Sequence, residues 1–290
     1  MGLFASKTVE GSSFSKTNDL CRLAVDFANE VYYYDDSDPN NPPTEREKEI
    51  RDHKDQLVGK GTRTYKIHCH LYKEQVNREL SVLYLAECED HKYAFIAWKG
   101  TNSIEQTIVD LEAKLKSYES WNQLLRTICN GFLSELASYL TSHNINAKDY
   151  EWYATGHSLG GALAFYSAYM ISCDPSLINH GKFIAPITFA SMKLPVPLPL
   201  PDGKDFVTSN EGIIFFNERD RLVEFASEEE LQRVGKVIVD INYCLDGEKM
   251  FHALVNYVEY LNKHYIVLRE DHPHDYRILS EDGSFSDITW

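Results

Sequence analysis

Between residues 153 and 171 the chain reads YATGHSLGGALAFYSAYMI, and this stretch limits the fold more than any other. Gly156 and Gly160 flank Ser158 at two residues on either side. That spacing suits a sharp turn in which a β-strand ends, a serine projects from strained backbone, and a helix begins at once. A Cβ at either flanking position would collide with the strand or the helix, so glycine is a steric requirement there. Before the turn, YEWYAT is rich in aromatic and β-favouring residues. After it, Leu159, Leu163, Tyr166 and Met170 recur at helical spacing, with Ala162, Ala164 and Ala168 thin enough for close packing on a sheet. A plainer reading is a glycine-rich helix start that merely packs tightly or holds an anion. Partners for the serine elsewhere in the chain decide between the two.

The flanking sequence supplies the sheet and helices such a turn needs. Residues 18–34, NDLCRLAVDFANEVYYY, open with an Asn or Asp cap and carry Leu20, Leu23, Ala24, Phe27 and Val31 on one helical face. The acidic, proline-bearing DDSDPNNPPTEREKE predicts an exposed loop over 35–48 entering a short charged helix. TRTYKIHCHLY, ELSVLYLAEC and KYAFIAWKG predict adjacent antiparallel strands, with EDHK as the turn between the last two. His68 and His70 share one face of the first of these, but no third ligand lies at metal-binding spacing. From residue 104 the pattern turns helical through IEQTIVDLEAKLKSY and WNQLLRTICNGFLSELASYLTSH. KFIAPITFAS, EGIIFFNERD and GKVIVDINY read as further strands, and KMFHALVNYVEYLNKHY as a closing helix. Strands alternating with helices imply a largely parallel, covered sheet.

Bulk properties exclude several functions. A length of 290 residues with 43% hydrophobic residues supports a large core within one α/β domain. The formal charge of −15 argues against nucleic acid as a partner and against purely electrostatic attachment to anionic lipid. The six cysteines, Cys21, Cys69, Cys88, Cys129, Cys173 and Cys244, lack metal or disulfide spacing and read as reduced, buried thiols. No apolar run reaches signal-peptide or bilayer length. The expected location is therefore the cytoplasm, or outside the cell by a route without a cleaved signal. Gly2 and Ser6 fit the short M-G-x-x-x-[ST] myristoylation pattern.

A serine hydroxyl becomes a good nucleophile only when a base takes its proton, and the base needs an acid to fix its tautomer. On a sheet carrying this turn the chain order is serine, acid, histidine. His180, His252, His264, His272 and His274 follow the turn. His180 leaves no room for an intervening acid, a helix C-terminus accounts for His264, and His272 and His274 lie in a polar tail. His252 begins an amphipathic helix after LDGEK, where a loop can swing an imidazole over the sheet. For the acid, Asp220 after IIFFNER and Asp240 after KVIV both follow strands, and Glu218 stays in the set. Asp220 is preferred because a turn, a polar segment and another strand separate it from His252. The oxyanion donors are expected at the Leu159 N–H and at Thr101, which follows the strand end FIAWKG and offers both N–H and Oγ.

Four segments in order, AWKGTN, TGHSLGGALA, FNERDRLVEF and HALVNYV, resemble the class 3 lipases, over about residues 18–262. The resemblance implies an α/β-hydrolase fold, Ser158 as nucleophile, Asp220 as acid, His252 as base, and Thr101 with Leu159 as oxyanion donors. It also implies a lid over 102–120, and Gly131-Phe132 match the family's glycine-aromatic pair. The implied substrate is an acyl lipid or ester, met in transient contact with a membrane surface, with no metal or organic cofactor. Residues 1–290 then form one domain with a C-terminal extension over 263–290. Esterase action on small soluble esters and a silent lipase-like binding protein are the alternatives. Lys99 stands where the family commonly has arginine, Cys129 where histidine is common, and FASMKLPVPLPLP replaces a glycine- and serine-bearing run. The alternation in LPVPLPLP favours an extended conformation that displays Leu194, Val196, Leu198 and Leu200 to solvent or lipid, with a plain rigid loop or a ligand for a proline-binding module as the alternatives.

Overall fold

The computed structural model describes residues 12–33, 46–50, 63–74, 80–100, 118–210, 212–217, 219–220, 231–232, 237–241, 252–268, 276–280 and 285–287. The main sheet runs β1 (Arg46–Ile50), β2 (Arg63–Glu74), β3 (Leu80–Glu87), β4 (Lys92–Trp98), β5 (Glu151–His157), β6 (Lys182–Phe189), β8 (Ile213–Phe216) and β10 (Val237–Asp240), neighbours in that order. β1 to β4 pair antiparallel; from β4 onward every pair is parallel. This half-meander, half-parallel sheet is the frame of an α/β-hydrolase fold. A short ladder joins β7 (Leu194–Pro195) to β9 (Leu231–Gln232), and β11 (His264–Leu268), β12 (Tyr276–Ser280) and β13 (Phe285–Asp287) form a separate antiparallel sheet.

Period-two patterning divides the core between the two faces of the main sheet. Along β4, Tyr93, Phe95 and Ala97 join one buried cluster, while Ala94, Ile96 and Trp98 join the other. β3 divides in the same way, Val82, Tyr84 and Ala86 against Leu83 and Leu85. Helices α1 (Ser12–Glu30) and α5 (Leu254–Lys263) cover the first face through Leu23, Phe27, Tyr257 and Leu261. Helices α2 (Tyr118–Ser142) and α3 (Leu159–Cys173) cover the second through Phe132, Leu136, Leu163 and Phe165. Because α3 is wedged between sheet and α2, it is buried nearly all round, not only along the predicted stripe. The one-turn helix α4 (Phe206–Ser209) closes the chain back toward β8.

Several expectations change. α1 starts at Ser12, so Asp19 is no cap; it is buried and accepts hydrogen bonds from Arg63 Nη1 and Tyr65 Oη, each at 2.8 Å. The charged helix expected at the end of the acidic loop is the strand β1, whose backbone pairs with β2 from Arg46 opposite Ile67 to Ile50 opposite Arg63. A pairing partner 13 to 21 residues away outweighs local helix propensity there. Leu194 and Leu198 are not displayed; they are 1% and 2% exposed and pack in the α2/α3 cluster, with Val196 and Leu200 half-buried against it. The indole N–H of Trp121 donates to the Lys193 carbonyl at 3.0 Å and ties this segment to α2. Burying such a leucine contributes roughly 1.5–3 kcal/mol, which the extended exposed form would forgo. His264 follows the last residue of α5 directly and is the first residue of β11. Cys21 and Cys129 are buried thiols outside any disulfide, whereas Cys69, Cys88 and Cys173 are only half-buried. Gly2, residues 35–45, most of 102–120, His272, His274 and Cys244 lie outside the described residues.

Candidate active site

β5 runs into α3 with only Ser158 between them, at φ 59° and ψ −124°. A side chain held at positive φ costs about 1–3 kcal/mol, so the surroundings must enforce it. They do so through the backbone: Ser158 N–H donates to Phe189 O at 3.0 Å, and Ser158 O accepts from Gly161 at 3.0 Å and from Ala162 and Met192 at 3.3 Å. The steric role of the two flanking glycines is explicit. A Cβ on Gly156 would lie 2.3 Å from Gly160 O, and one on Gly160 would lie 2.2 Å from Trp98 O. Strand end and helix start therefore touch backbone to backbone.

Asp220 follows β8 in a turn shaped by the buried Asn217, whose side-chain oxygen accepts the Arg219 N–H at 3.0 Å and whose carbonyl accepts the Asp220 N–H at 2.9 Å. His252 sits two residues before α5 begins. Both are 2% exposed, and His252 Nδ1 lies 2.6 Å from Asp220 Oδ2. A carboxylate oxygen accepts, so Nδ1 carries the proton and Nε2 of the neutral ring carries a lone pair. That Nε2 is buried with no hydrogen-bond partner among the described residues. An imidazole in this tautomer can take a proton at Nε2 and keep the resulting charge beside a carboxylate.

Thus Asp220 and His252, separated by 32 positions, are brought together. The His252 ring packs on His157, the residue before Ser158, with centroids 4.6 Å apart. Of the other acid candidates, Asp240 ends β10 opposite Phe216, and Glu218 lies outside the described residues. Leu159 is buried as the first residue of α3, where its N–H has no intrahelical acceptor and the helix dipole favours negative charge. Thr101 lies outside the described residues, directly after the buried Gly100. Lys99 is also buried, at 2% exposure. Cys129 faces α3, its Sγ 3.6 Å from Leu163 O, and Phe132 packs edge-on against Trp98 at 5.2 Å. Among the described residues no cluster of His, Cys, Asp or Glu has metal-binding geometry.

Sequence reasoning overlooked His157 and Tyr32. His157 Nε2 lies 2.7 Å from the His252 carbonyl, and His157 Nδ1 lies 3.0 Å from Tyr32 Oη. Burial first, and repulsion from His252 whenever that ring is protonated second, hold the His157 pKa well below the usual imidazole value, so the ring stays neutral. His157 was visible as the variable residue of the glycine-serine-glycine turn; Tyr32, 125 positions away, carried no local signal.

Residues 95–191 match the family Lipase (class 3). A solved fungal lipase–inhibitor complex is 17% identical with TM-score 0.39, over 55% of this chain and 60% of that one. The lipase from Rhizopus microsporus var. chinensis is 14% identical, TM-score 0.45, over 83% of this chain and 84% of that one. The Rhizomucor miehei lipase in its propeptide complex is 14% identical, TM-score 0.46, over 85% and 80%. No curated protein matches the chain.

Proposed function

Residues 95–191 belong to the class 3 lipase family, and on that premise we propose that this protein is a serine carboxylester hydrolase acting on acyl esters of lipids, with Ser158, His252 and Asp220 as its triad. His252 Nε2 takes the Ser158 hydroxyl proton as Oγ attacks the ester carbonyl, and Asp220 stabilises the imidazolium. The oxyanion is received by the N–H of Leu159 and by Thr101. The imidazolium returns its proton to the departing alcohol, leaving an acyl-enzyme. Water, deprotonated by the same nitrogen, then releases the fatty acid and restores the serine.

One observation carries this reading: a buried carboxylate–imidazole pair at 2.6 Å whose remaining nitrogen is unpartnered among the described residues, packed on the residue next to a serine held at positive φ. A purely structural histidine of this burial would be expected to use both nitrogens. The burial of Leu194 and Leu198 removes the proline-rich segment as support for contact with a membrane surface. The lipid substrate therefore rests on the family alone.

The test has two stages. A fluorophosphonate should label the wild-type chain and fail to label Ser158→Ala, with hydrolysis of a soluble ester falling to background in the variant. Equal labelling of both proteins removes the assignment. A panel of p-nitrophenyl esters, emulsified triglyceride and phospholipid vesicles then ranks substrates; activity confined to short soluble esters replaces lipase by esterase.

A further inference from the structure

The contacts around His157 have a direction. A carbonyl only accepts, so at the 2.7 Å contact His157 Nε2–H donates to the His252 carbonyl. The neutral ring then has its lone pair on Nδ1, and Tyr32 Oη–H must be the donor at 3.0 Å. The Tyr32 oxygen also packs closely against Gly100. Gly100 leaves room for this because a Cβ there would stand 2.3 Å from Tyr32 Oη and 2.5 Å from His157 O. The result is one continuous chain, Tyr32 O–H to His157 and His157 Nε2–H to the His252 carbonyl, with Gly100 packed against the Tyr32 oxygen. Each donor and lone pair has a single arrangement, and such chains reinforce one another.

The chain joins parts that the reaction needs in register. Gly100 lies two residues past β4 and immediately before Thr101, His157 is the last residue of β5 beside Ser158, and the His252 carbonyl belongs to the residue whose imidazole faces Asp220. Tyr32 comes from the one-turn helix Val31–Tyr33 after α1, on the opposite side of the sheet from α3. His157 also stacks edgewise on Tyr257 of α5, with centroids 6.3 Å apart, so its ring plane is fixed from a second direction.

Resting on the Ser158 hydrolase reading, we propose that Tyr32 and His157 are positioning residues: their relay locks the backbone of His252 and the end of β5, with Gly100 packed against it, relative to the serine. Neither touches the reacting atoms. Their contribution is to hold Nε2 within the few tenths of an ångström that proton transfer tolerates, where a shift of about 1 Å costs on the order of 10²-fold in rate.

Three variants of the full chain test this, each assayed for kcat, KM, fluorophosphonate labelling rate and thermal midpoint. Tyr32→Phe keeps the ring and removes the hydroxyl; it should lower kcat and labelling rate roughly tenfold with KM changed less than about threefold. His157→Leu should lower both by about 10²-fold or more. His157→Gln offers an amide N–H to the His252 carbonyl and should recover most of that loss. Tyr32→Phe and His157→Gln keep the test informative if the leucine variant does not fold. A lowered thermal midpoint with kcat and labelling rate unchanged, measured well below melting, overturns the proposal and leaves the two residues structural. Failure of the wild-type chain to label at all overturns the hydrolase reading itself, a distinct result.

Discussion

A carboxylate 2.6 Å from a buried imidazole fixes which nitrogen holds the proton, and this is where a single atom matters most. In Asp220→Asn the amide oxygen can still accept from Nδ1–H, but the negative charge is gone and the flipped amide favours the tautomer with its proton on Nε2. We expect kcat to fall by about 10²–10⁴ with KM changed less than about threefold and circular dichroism unchanged. A loss below tenfold would mean that another carboxylate serves His252. Ser158 yields a second prediction, on stability. Its φ of 59° burdens any residue with a Cβ, so Ser158→Ala keeps the strain and Ser158→Gly removes it. Relief of about 1–3 kcal/mol against roughly 0.5–1 kcal/mol of added glycine entropy leaves Ser158→Gly more stable than Ser158→Ala by about 1 kcal/mol, read from urea midpoints. Equal midpoints would show that the turn relaxes without the serine.

At the scale of elements, the junction of β4, β5 and α3 is held by backbone contact, and neither neighbour can yield. Gly160→Ala drives a methyl to 2.2 Å from Trp98 O, and Gly156→Ala drives one to 2.3 Å from Gly160 O. Each should destabilise by roughly 3 kcal/mol and abolish labelling of Ser158 even where the chain still folds, because α3 must retreat from the strand end. Near-native stability in either variant would contradict the packing. This junction was legible in the sequence because its constraint is local: small residues at fixed spacing, a β-rich run before and a helical run after. The antiparallel β2 to β4 were legible for the same reason, since alternation is written into each strand. What lay beyond reach depended on distant partners. β1 is highly charged and looks helical until β2 pairs with it. Leu194 and Leu198 look exposed until α2 and α3 close over them. Asp220 and Asp240 both follow strands, and only the fold sets one of them against His252. Tyr32 offered no spacing at all, because its contact with His157 is made by α1 crossing the sheet.

For the whole molecule, the neutral state of His157 becomes a dependence of stability on pH. Burial, and then repulsion from His252 when that ring is protonated, lower its folded pKa from the ordinary 6.5. The unfolded chain therefore binds the proton more readily than the folded one between 6.5 and the depressed value. With more protons bound on the unfolded side, stability rises with pH across that window: His157's contribution is complete above 6.5 and is lost as pH falls toward the folded value. The slope from this one group reaches about 1.4 kcal/mol per pH unit. A formal charge of −15 opposes it, since acidification relieves self-repulsion of the compact state, so the wild-type profile alone shows only the balance. His157→Gln separates the two. It leaves every other titrating group in place and removes the group whose proton the folded state refuses. Urea midpoints from pH 7.5 down to pH 5.5 should therefore fall more steeply for wild type than for His157→Gln, with the curves converging on the acid side and parallel above 6.5. Parallel curves throughout would mean that His157 accepts a proton while folded. That proton would have to sit on Nδ1, where the Tyr32 hydroxyl now donates, and the relay could not then run in the direction its contacts require.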